Sequence, residues 1–260
     1  MKDLMVLFQK EWRENTRNFK ILWIPLIFIL FGITEPVTNY YLPQILEAVG
    51  NIPKDAMFPF PEFTPAQILM STMGQYQFIG MLVIVLGFMG TISRERKDGT
   101  GTLIYVRPIS FLSYFLSKWK VVGIIVLGSV WLGLLTSWYY TELLFGNVAA
   151  ADFFAFAGTY SVWIVFVVTV ILAASAWLPT GGAAGVSLGL VLGVQIIDSL
   201  LGAYWTVSPW KLSTYATQWL KGSPDLTHFW LSIVVTILAV IAMVAFGVWM
   251  SKRNASKTKI

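Results

Sequence analysis

Two carboxylates, Glu35 and Asp198, fall inside long apolar stretches of the sequence. Burying an ionisable side chain at membrane depth is costly, and such residues usually mark substrate or ion pathways and proton relays. Both stand toward one end of their stretch, where water can solvate them, and neither has an intramembrane Lys or Arg to pair with. They are candidates for lining a translocation path, or for proton or cation coupling. Beyond them the chemical inventory is thin. His228 is the only histidine and cysteine is absent, which removes disulfides, thiolate metal sites, a cysteine nucleophile and any paired-histidine metal motif. The dipeptide Gly-Lys does not occur, so the chain has no phosphate cradle of the GxxxxGK type. The expectation is no catalytic residue, no metal and no cofactor held by this chain.

The elements that must position these residues follow from composition. Of 260 residues, 57% are hydrophobic and 12% are charged, well below the roughly 25% charged residues of a soluble domain. A helix needs about 20 mostly apolar residues to cross a bilayer. Six stretches qualify, at about 21–41, 72–92, 119–143, 153–177, 183–202 and 229–250. The fold class expected is an all-α membrane protein of six transmembrane helices in one domain over 1–260. Fifteen of the eighteen Lys and Arg residues fall in the N-terminal segment, the connector after the second stretch, and the tail, leaving Lys54, Lys211 and Lys221 on the other side. Basic loops stay cytoplasmic, so both termini are expected there. The net charge of +5 then faces anionic lipid headgroups and cytoplasmic partners rather than nucleic acid. Some twenty polar and charged residues precede the first stretch and no small-residue cleavage site follows it, which argues for an anchor and against a cleaved signal.

Residues 1–20 repeat Leu4, Phe8 and Trp12 at helical spacing, with Lys10, Arg13 and Arg17 in polar positions. This pattern predicts an amphipathic helix in the headgroup plane. Pro25 and the pair Glu35-Pro36 predict a kink or early unwinding in the first span. Five prolines between 43 and 67 predict an ordered outer loop, and the aromatic segment 203–228 a re-entrant or interfacial stretch. Gly181, Gly185, Gly189 and Gly193 recur every four residues; small residues on one face let another helix approach closely. Packing within the chain is favoured there over a seam between subunits.

The connector "SRERKDGTGTLIYVRPIS" and the following "FLSYFLSKW" order charge, glycine, apolar residues and a proline turn. Topogenic charge alone explains the Arg and Lys residues but not this order; a short cytoplasmic helix offering Leu103, Ile104 and Val106 for contact does. The matching residues are Glu95, Arg96, Gly99, Thr100, Leu103, Pro108, Ser110 and Lys118, together with Lys10-Glu11 ahead of the first span. In these residues and in its six-span layout the chain resembles the ABC-2 type transporter permeases, closest to small permeases of Bacillus-type bacteria. The extra Gly101 departs from the family pattern.

The resemblance implies a permease subunit of an ATP-binding cassette exporter in the bacterial cytoplasmic membrane. Residues 93–118 would be the coupling segment, with Glu95, Arg96, Gly99, Thr100, Leu103, Ile104, Arg107 and Pro108 contacting a separate ATPase subunit. Residues 1–20 would be the connecting helix, through Phe8, Lys10, Glu11 and Trp12. ATP and Mg would be bound by the partner ATPase, and a second permease chain, identical or different, would complete the path for an amphipathic, peptide or lipid-like cargo. Two alternatives stay open: a non-transporting sensor or immunity subunit, and an ion-coupled transporter using Glu35 and Asp198.

Overall fold

The computed structural model describes residues 2–49, 63–99, 109–202 and 204–257. Among these the chain is helical, with no strand. Helix α1 (Lys2–Arg17) precedes α2 (Lys20–Val49). The second span is built from α3 (Pro65–Gln75), a π turn at Tyr76–Gly80 and α4 (Met81–Phe88), and the chain then turns into the short α5 (Ser93–Lys97). Helices α6 (Phe111–Phe145) and α7 (Ala150–Trp177) are the third and fourth spans. The fifth is α8 (Thr180–Leu188), a second π turn at Gly189–Gly193 and α9 (Val194–Leu201). A short α10 (Lys211–Trp219) leads to the sixth span, α11 (Leu226–Lys257).

Among the described residues six helical stretches are long and apolar enough to cross a membrane: Lys20–Leu46, Pro65–Lys97, Phe111–Phe145, Ala150–Trp177, Thr180–Leu201 and Leu226–Ala255. Asn254 near the end of α11 meets the turn after the fourth span beside α5, which contacts α1, so both ends of the described chain lie at one end of the bundle. Several run past the expected ends because charged and aromatic residues continue the helix beyond its apolar stretch. The early unwinding expected of the first span does not occur, since α2 stays helical through Pro25, Pro36 and Pro43. Transmembrane helices tolerate proline where neighbouring helices hold the freed backbone in place, and α2 lies along α6 over much of its length. Consequently Pro43 belongs to a helix and Pro65 starts one, behind the Thr64–Gln67 capping box. Residues 50–62 of the expected outer loop lie outside the described residues.

Close approach of α2 and α6 rests on small residues. A Cβ on Gly133 would strike the Tyr76 hydroxyl and the Phe28 carbonyl, the two groups that make a 2.8 Å hydrogen bond there. Further polar contacts tie the first four spans together: Thr72 and Ser137 hydroxyls at 2.7 Å, and the indole N–H groups of Trp119 and Trp131 donating to Thr169 and Ser161. In lipid such bonds and close packing take over from the hydrophobic effect. The fourth span is the centre of the bundle, with Phe156, Tyr160, Trp163 and Ile164 fully buried.

The glycine repeat of the fifth span does not pack as expected. A Cβ on Gly181, Gly185, Gly189 or Gly193 would meet nothing within 4 Å, so this face is open in the isolated chain. The segment after the fifth span, in contrast, turns back into the bundle. Trp210 lies edge-on to Phe166 at 5.3 Å and its indole donates to the Leu190 carbonyl. Phe166 stands near the middle of the fourth span, about 24 Å along it at 1.5 Å per residue. Residues 204–219 thus pack back against the fourth and fifth spans.

Candidate functional site

On the side that carries both termini, α1 turns the face Leu7–Glu11–Asn15 inward, each residue 3–7% exposed. The face read as apolar, Leu4–Phe8–Trp12, lies beside it: Phe8 stacks on Trp12, and Trp12 is 37% exposed. A buried carboxylate in an amphipathic helix requires a partner. Lys118 of α6, fully buried, supplies it, with its ammonium 2.7 Å from Glu11 Oε1 and 2.9 Å from Glu95 Oε2. Lys10 bridges the same two carboxylates from the outside, 3.0 Å from Glu11 and in direct contact with Glu95. The Tyr114 hydroxyl donates to Glu95 Oε2 at 2.6 Å, and the Asn15 amide donates to the Glu11 carbonyl at 2.8 Å. The ammonium of Lys118 also stands over the Tyr114 ring.

Two lysines and two glutamates balance in charge. Burial alone opposes a charged Lys10, but Glu11 and Glu95 outweigh it and hold the ammonium above the ordinary lysine range. The carboxylate oxygens of Glu11, Glu14 and Glu95 converge closely enough to hold a cation; the ammonium groups of Lys10 and Lys118 occupy the shared oxygens instead.

Helix α5 is fastened on its other side as well. Arg96 donates from both guanidinium amines, at 2.7 Å each, to the carbonyls of Ala176 and Leu178 at the end of the fourth span. Those carbonyls have no partner within their own helix, which is why a fork of donors fits. Asn254 of α11 donates to the same Ala176 carbonyl. The backbone amides of Ile92 and Ser93 donate to Ser175 Oγ, and Ser93 Oγ bonds Thr180 Oγ1 at 2.8 Å. Five residues of connector therefore bind α1, the third span and both sides of the turn between the fourth and fifth, where Asn254 of the sixth span shares the Ala176 carbonyl. At Gly99 the backbone takes φ +72°, a left-handed conformation that glycine adopts without penalty, and the chain departs toward the rest of the connector.

The expected contact residues thus divide. Glu95 and Arg96, expected to face a partner, are committed inside the chain because a carboxylate and a guanidinium at this depth need internal partners. Arg94 remains exposed. Thr100, Leu103, Ile104, Arg107 and Pro108 lie outside the described residues. Sequence reasoning marked Lys10, Glu11, Glu95 and Lys118 separately without joining them, and it missed Tyr114, Asn15 and Ser175. The available signal was Glu11 itself, a carboxylate four residues from Leu7 and from Asn15 on one helical face.

The two candidate path residues are not brought into one site. Glu35 is half-buried and takes a 3.4 Å contact from the amide of Asn39. Asp198 is 4% exposed; Trp205 Nε1 donates to it at 2.5 Å and Lys211 lies 3.4 Å away. Its carboxylate fastens the segment 204–219 to the fifth span, a pairing that sequence spacing did not show. His228 bonds Asp225, whose carboxylate caps the sixth span through the amides of Thr227 and His228.

A helix bolted at the membrane face, an amphipathic helix beside it and six spans form the frame within which the sequence can be compared with known proteins. It matches the family of ABC-2 family transporter proteins over residues 5–209, from α1 to just before α10. The chain belongs to the ABC-2 transporter family. Like other ABC-2 proteins it is a multi-pass membrane component of a transporter. It is also similar along almost its whole length to the uncharacterized transmembrane protein YxlG of Bacillus subtilis (strain 168), with 32% identity over 259 residues, covering 98% of this chain and all of that one. The ABC-2 match takes in both α1 and α5, so the ion cluster lies wholly within the family region.

Proposed function

We propose that the chain is the permease subunit of an ATP-driven exporter whose ATPase is a separate polypeptide. The observation that carries this reading is the fastening of α5 by Ser93, Glu95 and Arg96 to α1 and to the third, fourth and fifth spans. A movement applied to the connector just beyond Gly99 would be delivered to four membrane elements at once. Such a transmission is useful only if a partner pulls on the connector. An ATPase that binds ATP and Mg, and favours one arrangement of the bundle by differential affinity, is the partner that the family suggests. In this reading the side bearing both termini is cytoplasmic, in keeping with the distribution of Lys and Arg.

A second permease chain belongs to the reading too. The open face of Gly181, Gly185, Gly189 and Gly193 supports it, since a stripe of small residues turned away from its own chain suits the close approach of another helix. The cargo proposed is amphipathic, a peptide or a lipid-like molecule, taken from the aromatic and apolar far side. An ion-coupled mechanism would need a carboxylate free to exchange its ion, and Asp198 is already held by Lys211 and Trp205. The test is flux in reconstituted vesicles containing the chain and its ATPase, with a fluorescent amphipathic peptide and a fluorescent phospholipid as probes. Export of either, dependent on ATP and insensitive to collapse of ion gradients, supports the proposal; flux that follows a proton or sodium gradient without ATP refutes it.

A further inference from the structure

A groove of about 190 Å³ runs between the third and fourth spans, away from the ion cluster. Lys120, Gly123, Ile124 and Leu127 line it from α6, and Val165 and Val168 from α7. It is apolar except at one end, where Lys120 stands exposed and pairs with no carboxylate among the described residues. Trp119, whose indole is fixed to Thr169 Oγ1 at 2.8 Å, forms the wall beside it.

The level of this lysine in the membrane is set by its neighbour. Lys118 is bonded to Glu11 of α1, an amphipathic helix with Arg13 and Arg17 on its polar side and Met5 and Val6 exposed, the pattern of a helix at the headgroup boundary. Lys120 is about 3 Å further along the same helix and about 200° around it. It therefore stands at headgroup depth while facing lipid instead of protein. From there the groove continues toward the membrane centre, with Gly123 and Leu127 about 4.5 and 10.5 Å deeper. The space over Gly123 is empty, since a Cβ there would meet nothing within 4 Å.

We propose that this groove is a binding site for one anionic phospholipid of the leaflet on the side of the termini. The phosphate is held by Lys120 and one acyl chain lies in the channel over Gly123. A cation at headgroup level joined to an apolar trough matches the two parts of a phospholipid in their natural order. The proposal is independent of the cargo and of the ATPase.

Native mass spectrometry of the full-length chain, released from nanodiscs containing equal amounts of phosphatidylglycerol and phosphatidylcholine, tests it. The wild-type chain should retain phosphatidylglycerol in preference. Lys120→Ala should reduce that preference about fivefold, the attraction of one lysine to an anionic surface, while Lys120→Arg keeps it. Gly123→Leu, which fills the trough without altering charge, should lower retention of both lipids. Both sites are open, so the variants should unfold at the wild-type temperature. The proposal fails if wild-type retains the two lipids equally, if Lys120→Ala and Gly123→Leu behave as wild-type, or if Lys252→Ala on the sixth span causes the same loss as Lys120→Ala.

Discussion

Lys118 is the residue on which the cluster depends, because it alone is buried between the two carboxylates that α1 and α5 bring together. Removing one member of a buried ion pair leaves its partner charged and unsolvated, at a cost of about 3–5 kcal/mol. Lys118→Met should therefore lower the thermal unfolding midpoint sharply, and adding Glu11→Gln and Glu95→Gln should recover much of the loss; a single variant as stable as wild-type would mean that the cluster is not closed in the membrane. Lys10 gives the cluster an alkaline limit. Its pKa is raised in the folded chain, so its contribution is complete below the unfolded value of about 10.4 and is lost as pH rises through the raised one. Unfolding scans at increasing pH should show a destabilisation above about pH 10.5 that is smaller in Lys10→Met. None of this network was legible in the sequence as a unit. Glu11 and Lys118 are 107 positions apart, and Lys10 and Glu95 are 85 apart, so only the fold makes them neighbours.

The elements were more legible than the residues. Six spans follow from apolar length because lipid admits no other backbone solution than a helix or a closed barrel, and the amphipathic start of the chain reads directly as α1. What the sequence could not supply was the packing that overrides local signals. Pro36 and Pro43 look like breaks, yet α2 runs through them alongside α6. The glycines of the fifth span look like a packing face, while the closely packed ones are Gly32 and Gly133, which approach each other between α2 and α6. Gly133→Ala should cost about 1–3 kcal/mol, as overpacking of a tight interior does. Gly128→Ala on the same helix, where a Cβ would meet nothing within 4 Å, should leave the unfolding midpoint unchanged. Equal midpoints for the two variants would mean that the α2–α6 contact can widen without cost.

At the scale of the whole molecule, a transporter subunit must join at least two interfaces to its bundle. The open glycine face offers one, and Gly185→Leu with Gly189→Leu should convert a dimer to monomers in detergent without lowering the unfolding midpoint; size measurement by light scattering decides it, and an intact dimer would place the seam elsewhere. The connector offers the other. Glu95 and Arg96 are spent on the chain itself, so in the proposed reading an ATPase would attach through Leu103 and Ile104, because a small apolar centre supplies most of the binding energy of an interface and rim charges set approach. The most direct measurement is affinity purification of the tagged chain from native membranes in mild detergent, with mass spectrometry and an ATPase assay of what co-elutes. A stoichiometric ATPase is expected, retained by Arg94→Ala and lost with Leu103→Asp. A chain that elutes without any ATPase under conditions that preserve other membrane complexes, or an ATPase retained equally by both variants, would contradict it.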